Sequence, residues 1–461
     1  PESLMSISSL TNIAQSALMA QEAAIQVTGQ NIANAQTPGY SRQTLALSAS
    51  TPDNTPNGVL GTGVSITSIT RSRDALLDQQ YRTQSAPASS YQERSTLLAQ
   101  IQNVYGEPST TGLASTMDNF FNSWSDLASN PADASAKAVV QQAGAQLAAT
   151  FNSYATQLSN IGANTRTGLT DSIAQVNSLA TQIASMNAQI VAASSSGASP
   201  NDLMDKRDQM IDQLSQLVSI TVSGNKNGSD QVNIGGIQLV NGNAATSLVL
   251  GSGIPLTIST GDGDVLPAAG GKVGAMLTVA NVDLPAAQSG LDALASSIIT
   301  DVNAQHAAGW SPPAGTGVDF FDASPANAIA QNMQLSAAVA ADSSTIATGT
   351  TANAAGDNSI ALAIAGLRDF SPSAAGNSFS GAYTSLVTSV ANAKSASDSS
   401  STVYQTLQQQ ANAQRQSVSG VDTDEELTAM IARQQAYVAA AKLVETIQAM
   451  SAALLAISPG S

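Results

Sequence analysis

Apolar residues along this chain repeat at two different periods, and the switch between them marks its parts. From Ser6 to about Ile32, Leu18, Ile25 and Ile32 recur every seven residues beside a stripe of Leu10, Ala14, Ala17 and Ala24, which predicts a helix. Thr37-Pro38-Gly39-Tyr40 ends it, because Pro38 and Gly39 supply a turn. Val59 to Ile69 alternates apolar and small polar residues around Gly61 and Gly63, the pattern of a short β-hairpin. A helix follows from about Arg73 to Val104, stopped by Gly106 and Pro108. Another runs from Leu113 to Leu127 with Met117, Phe120, Phe121, Trp124 and Leu127 on one face. Asn130-Pro131 predicts an N-cap with Pro at the first helical position, and that helix is expected to reach about Ala193 with breaks near Gly162 and Gly168. Asp202 to Leu217 is amphipathic, with Leu203, Met210, Leu214 and Leu217 inward.

At Val218 the texture changes. Through about Gly271 the chain is rich in Gly, Asn, Thr and β-branched residues, with turn signals at Asn227-Gly228, Gly235-Gly236 and Asn241-Gly242, as in a small β domain. Helical texture returns from Val273 to about His306 and again from about Gly381 to Gln416, around a mixed stretch holding Phe320-Phe321. In the last helix Thr423 and Glu426 predict a capping box. Its later residues Ala440, Leu443, Ile447, Met450, Leu454 and Ile457 alternate steps of three and four, a coiled-coil seam. Such a seam needs a partner helix, and the N-terminal segment has a matching period. The two ends are therefore expected to pair, in one chain or between copies. The fold class that follows is mainly α, elongated and multi-domain. Paired terminal coiled-coil helices take residues 1–36 and 422–461, and a helical rod-like body with minor β takes 37–217 and 272–421. A small β domain is inserted at 218–271.

Charge narrows the function. The 461 residues exceed what one core usually serves, yet only 16 are basic and 32 acidic, for a net −16. Nucleic acid and anionic membrane surfaces are poor partners for such a chain. No cysteine is present, and His306 is the single histidine, which removes thiolate chemistry and multi-His metal sites. No apolar window is long enough to span a membrane, and the first forty residues lack the basic and apolar regions of a cleaved signal. Asp202, Asp205, Asp208 and Asp212 share one helix face. They are read as a solvated acidic face with Lys206 and Arg207 as local counter-charges, in preference to a glycoside-cleaving pair or a cation site. Asn225 to Asp230 reads as a hairpin turn, His306 as a surface or packing residue, and Phe120, Phe121 and Trp124 as core. No catalytic, cofactor or metal residues are assigned.

Asn31-Ile32-Ala33-Asn34-Ala35-Gln36-Thr37-Pro38-Gly39-Tyr40-Ser41-Arg42-Gln43 resembles the signature shared by flagellar rod, hook and junction proteins. Its Tyr-Ser-Arg-Gln ending is most like the FlgK family of hook–filament junction proteins. Gly61-Thr62-Gly63-Val64, Gly106-Glu107-Pro108-Ser109, Phe120-Phe121 with Trp124, Asn201 to Asp208, and Ser419 to Lys442 are similar to that family in the same order. The resemblance implies a structural protein that self-assembles extracellularly at the hook–filament junction and is exported without a cleaved signal peptide. It also implies a homo-oligomer whose partners are the hook protein, a second hook-associated junction protein and, before secretion, a flagellar export chaperone. Within the motif, Asn31, Asn34, Pro38, Gly39 and Tyr40 are the axial-family positions, and Tyr40 is expected to lock the turn. Leu18, Ile25, Ile32, Leu443, Ile447, Met450, Leu454 and Ile457 are the expected assembly interface. The rival readings are a hook or distal-rod protein and, in another class, an adhesin or enzyme carried by the β insert, which lies outside the resemblance.

Overall fold

The computed structural model describes residues 2–55, 58–106, 109, 111–267, 269–312, 315–323, 327–374 and 378–457, and side-chain surroundings for all of these except 2–6, 55, 454, 455 and 457. Glu107, Pro108 and the side chains of Leu454 and Ile457 thus lie outside it. The protein is mainly α. In chain order, α1 (Glu2–Asn34) precedes β1 (Gln43–Ala49), β2 (Asp53–Thr55), β3 (Gly58–Leu60) and β4 (Val64–Arg71). Then come α2 (Ala75–Tyr105), α3 (Leu113–Ser129), α4 (Ala134–Ser195) and α5 (Asn201–Leu217). Six short strands follow: β5 (Thr221–Gly224), β6 (Asp230–Ile234), β7 (Ile237–Asn241), β8 (Ala244–Ala245), β9 (Leu248–Leu250) and β10 (Ile258–Thr260). The rest is α6 (Gly271–Thr278), a π-turn at Val279–Asp283, α7 (Leu284–Ala308), α8 (Ile329–Asn332), α9 (Ala337–Ala341), α10 (Ser359–Gly366), α11 (Phe379–Ser419) and α12 (Thr423–Ile457).

The chain divides into two compact units. The first takes residues 1–85, 176–247 and 404–461, the second 86–175 and 248–403. The stretch expected as one β insert contributes to both: the antiparallel sheet β5-β6-β7-β8 belongs to the first unit and the β9–β10 hairpin to the second. In the first unit, Asn187 of α4 holds that sheet. Fully buried, it donates from Nδ2 to the carbonyls of Asp230 and Gly242, both at 2.8 Å, and accepts the Asp230 N–H at 3.0 Å.

Several local expectations change. Val59 and Ile69 lie on nested hairpins rather than one: β1 pairs with β4, placing Leu45 opposite Ile69, while β2 and β3 form the tip, placing Asn54 opposite Val59. Gly63, at φ +112°, lets this ribbon close on α1, where a Cβ would meet Ser16 Oγ at 2.3 Å and the Val64 N–H donates to that oxygen at 3.2 Å. Asn130 ends α3, its N–H bonding the Leu127 carbonyl, and the Asp133 carboxylate caps α4 through the Ser135 N–H at 2.8 Å. The α4 helix then runs unbroken for 62 residues. Gly162 and Gly168 are sites of close approach, since a Cβ there would stand 2.9 Å from Leu284 Cδ2 and 3.3 Å from Met276 Cε. A glycine that breaks a helix and one that admits a neighbour look alike in sequence. At α12 the cap is Asp422, whose Oδ1 accepts the N–H groups of Asp424 and Glu425 at 2.9 and 3.3 Å, in place of the expected Thr423–Glu426 box.

The second unit is built on aromatic packing. Phe120, Phe121 and Trp124 of α3 are buried against Phe320, Phe321 and Phe379, with Trp124 and Phe320 ring centroids 5.4 Å apart. His306 of α7 is fully buried beside them. Its Nδ1–H donates to the Val318 carbonyl at 2.7 Å, and Nε2 accepts the Ala347 N–H at 3.0 Å, so the ring packs as the neutral tautomer. Burial holds its pKa below the ordinary 6.5. The unfolded chain therefore takes up this proton first, and His306's contribution is full above about pH 6.5 and declines below it. A thermal melt of the second unit's signal should fall between about pH 7 and pH 5.5. That slope should flatten in His306→Gln, which should itself melt lower at neutral pH.

Candidate functional site

The ends of the chain pair within one molecule, as antiparallel α1 and α12. Arg42, just past α1, donates its N–H to the Ser419 carbonyl at 2.9 Å, and its guanidinium meets Glu425 at 3.4 Å. Further along, a Cβ on Gly29 would lie 3.9 Å from Met430 Cε. The side of α1 that is buried carries small residues, Ala14, Ala20, Ala24, Val27 and Thr28, which allow close approach. Leu18, Ile25 and Ile32, expected at the centre of the seam, are half-buried along its edge. On α12, Ile447 is buried at 5% exposure, but Leu443 and Met450 remain 41% and 47% exposed. Intramolecular pairing therefore covers only part of the apolar surface of the ends.

The turn after α1 is fixed by a buried amide. Asn31 donates from Nδ2 to the Gln43 carbonyl at 2.9 Å and accepts both the Gln43 N–H at 2.9 Å and the Tyr40 hydroxyl at 2.8 Å. The Tyr40 hydroxyl thereby joins the turn to the end of α1. Burial, with Asp202, Asp205 and Glu426 nearby, pushes the Tyr40 pKa up to about 12. Asn34 accepts the Thr37 hydroxyl at 3.2 Å, Pro38 is exposed, and Gly39 takes φ +80° against Gln209 of α5.

Beneath the turn lies a cluster that the sequence reading missed. The α5 carboxylates do not form a solvated face: Asp205 and Asp208 are buried, Asp212 is half-buried, and of the four only Asp202 is exposed. Their counter-ions come from other elements. Arg71 Nη1 donates to Asp205 at 2.7 Å and Asp208 at 2.8 Å, and Arg73 lies 3.1 Å from Asp208. Arg73 also makes a two-point contact with Asp78 at 3.0 and 2.7 Å. Arg82 reaches Asp212 at 2.8 Å, and Arg415 of α11 bonds Asp212 while standing 4.0 Å over the Tyr81 ring. Burial opposes ionisation of Asp208, yet Arg73, Arg71, Arg82 and Arg207 hold its pKa below the ordinary carboxylate value. Burial likewise opposes the Arg73 charge, and Asp208 and Asp78 outweigh it. The predicted local counter-charges act otherwise. Lys206 is exposed, and Arg207 pairs at 2.8 Å with Asp230, where burial pushes both groups toward neutrality. The doublet Arg71–Arg73 was the available signal, but of its partners only Asp78 is local, and Asp205 and Asp208 lie more than a hundred positions downstream.

The two family-like motifs meet at this cluster. Asp205 accepts the Ser41 N–H at 3.0 Å and its hydroxyl at 2.7 Å, and Asn201 donates to the Ile69 carbonyl at 2.9 Å and to Gln43 at 3.3 Å. A polar cleft of about 970 Å³ opens beside the turn, lined by Gln209, Gln213 and Gln216 of α5 and by the α11–α12 link. Of its charged groups, Arg415 pairs with Asp212, Arg42 with Glu425, and Asp422 caps α12. Among the described residues no group of three or more His, Cys, Asp or Glu is placed to hold a metal ion, and no helix is long and apolar enough to cross a membrane.

Comparison with known proteins places the chain among flagellar proteins. A family model described as the flagellar hook-associated protein FlgK helical domain matches residues 98–321. Two others, for the C-terminal part of flagellar basal body rod FlgEFG proteins and for flagella basal body rod proteins, match 412–457 and 12–40. Flagellar hook-associated protein 1 of Bacillus subtilis is 31% identical, covering 94% of each chain. The protein of the same name from Escherichia coli is 32% identical over 68% of this chain and 60% of its own. A solved structure of the flagellar hook junction protein FlgK from Burkholderia pseudomallei superposes with TM-score 0.67 at 21% identity, covering 74% of this chain and 100% of that one.

Replacing Asp208 by Asn should leave Arg71 and Arg73 each with a single hydrogen-bonded carboxylate partner in a nearly dry site and cost roughly 3 kcal/mol, read by denaturant unfolding. Because the folded pKa of Asp208 is depressed, its contribution is present above about pH 4 and is lost as pH falls through the folded value. The Asp208→Asn variant, though weaker, should lack that share of the acid slope.

Proposed function

The chain belongs to the flagellar hook-associated protein 1 family, FlgK, and on that footing we propose how it joins hook to filament: its paired terminal helices pack against those of neighbouring copies. The observation that carries this reading is the half-used seam, with Leu443 and Met450 in water on a helix whose Ile447 is buried. Apolar residues repeated along a helix gain by leaving water, at about 25 cal/mol per Å². In this scheme residues 1–36 and 422–461 form the axial core and 37–217 with 272–421 the body, while the strands of 218–271 are shared between the two compact units. The interface is Leu18, Ile25, Ile32, Leu443, Ile447 and Met450, continued by Leu454 and Ile457.

Family membership makes the protein a structural component of the flagellum. The finer scheme adds the hook protein on one side, a second hook-associated protein on the other, and a cytoplasmic chaperone before export without a cleaved signal. Work of this kind is mechanical. It requires rigid attachment of the terminal helices to the body, which the Asp205–Ser41 and Asn31–Gln43 contacts support. It requires no reaction, and the mutual pairing of the site's charges favours a protein that is not an enzyme.

Deleting the gene should leave hooks without filaments and release flagellin into the medium. Ile447→Asp should prevent incorporation, because a carboxylate placed at a 5%-exposed position of the seam costs several kcal/mol unpaired. Normal motility in that strain would sink the seam as the joining surface.

A further inference from the structure

Two apolar surfaces of the first unit, outside the seam just described, are left in water. One is the β1–β4 ribbon. Leu47 and Ile66 face each other across it at 45% and 44% exposure, and Val59 and Leu60 stand at its tip at 65% and 58%. A two-stranded ribbon is marginal in water, and neither β1 nor the exposed part of β4 carries the lysine or proline that usually guards an open edge. The other surface is a stripe on α12 made of Leu427, Ile431 and Val438, exposed 48%, 57% and 54%. Its steps of four and seven residues keep it on one face, and at 100° per residue it lies about 130° around the helix from Leu443 and Met450.

We propose that the ribbon of one copy lies along this α12 stripe of a neighbouring copy, tip toward Lys442. The inference rests on the assembly reading above and adds a second, separate contact to it. Charge complementarity selects the occupant and the direction. Between Gln43 and Ser72 the only charges are Asp53 and Arg71, and Arg71 is bound inside the ion cluster. Asp53 sits exposed at the tip, paired in register with Leu60. On α12 the next exposed charge after Val438, near the same face, is Lys442. Neither Asp53 nor Lys442 has an ion partner among the described residues. The spans agree as well: Leu47 to Asp53 reaches at most about 20 Å along a strand, and Ile431 to Lys442 covers about 16 Å of helix. When Asp53 meets Lys442, Leu60 falls near Val438, and Leu47 with Ile66 falls near Leu427 and Ile431. A ribbon on one element and a stripe on another make a head-to-tail contact, which propagates from copy to copy instead of closing as a dimer.

The chain contains no cysteine, so introduced pairs can be read cleanly. Full-length chains carrying both Leu47→Cys and Ile431→Cys, assembled in flagellated cells and mildly oxidised, should give a ladder of disulfide-linked multimers, while either single variant should give none. Both positions are exposed, and unchanged thermal melts of the monomers confirm that folding is intact. Asp53→Lys or Lys442→Asp alone should lower incorporation about twofold to fivefold, and the double reversal should restore it. Normal incorporation without a ladder, or a double reversal no better than the singles, overturns this contact and leaves the seam standing. Failure of the unaltered chain to enter the flagellum removes the assembly reading, and this contact with it.

Discussion

A carboxylate as deeply buried as Asp208 stays ionised only if cations are brought to it from all sides, and in the first unit this requirement fixes where the other elements go. Arg71 ends β4, Arg73 precedes α2, Arg82 lies within α2 and Arg207 is on α5 itself, and all four bear on the one carboxylate. Asp212 extends the cluster to Arg415 on α11. Once α5 is seated in this way, Asp205 receives Ser41, and the turn that carries Tyr40, Gln43 and Asn31 is placed with it. The turn that follows α1 is thus held to α5 by an ion cluster, in addition to the packing of α1 on α12. Buried ion pairs of this sort often add little net stability, because desolvation offsets their attraction. Their use here is positional: any slip would leave a charge alone in a dry place.

Neutral amides do the same work elsewhere. Asn31, Asn187, Asn281 and Asn303 each stand on a helix or in its π-turn and bond both an N–H and a C=O of a neighbouring strand or loop, as Asn281 does with Leu256 at 2.7 and 2.9 Å and Asn303 with Phe320 and Phe321. One side chain thereby copies the hydrogen-bonding edge of a strand. This explains how a chain with so few charges can bury backbone ends of loops without leaving them unsatisfied.

Long-period features were legible in the sequence. The terminal helices, α3 with its aromatic face, and the turn chemistry at Asn227-Gly228 and Asn241-Gly242 were all readable from local spacing. What failed was information held at a distance. Gly162 and Gly168 read as breaks because the residues that require them, Leu284 and Met276, lie over a hundred positions away. The acidic face of α5 read as solvated for the same reason, its partners being Arg71, Arg73, Arg82 and Arg415. The seam residues of α1 were displaced because alanine signals burial weakly: Ala14, Ala20 and Ala24 pack inside while the larger Leu18 and Ile25 border them.

Gly29 and Met430 face each other although about 400 residues separate them. Closing a loop of that length costs roughly 5 kcal/mol of chain entropy, and nothing repays it until the second helix is present. A chain that is threaded out from one end therefore cannot display a joined pair of ends partway through its passage. If copies recognise one another through the paired helices, as proposed above, that surface comes into being last, and only a molecule complete through α12 would present it.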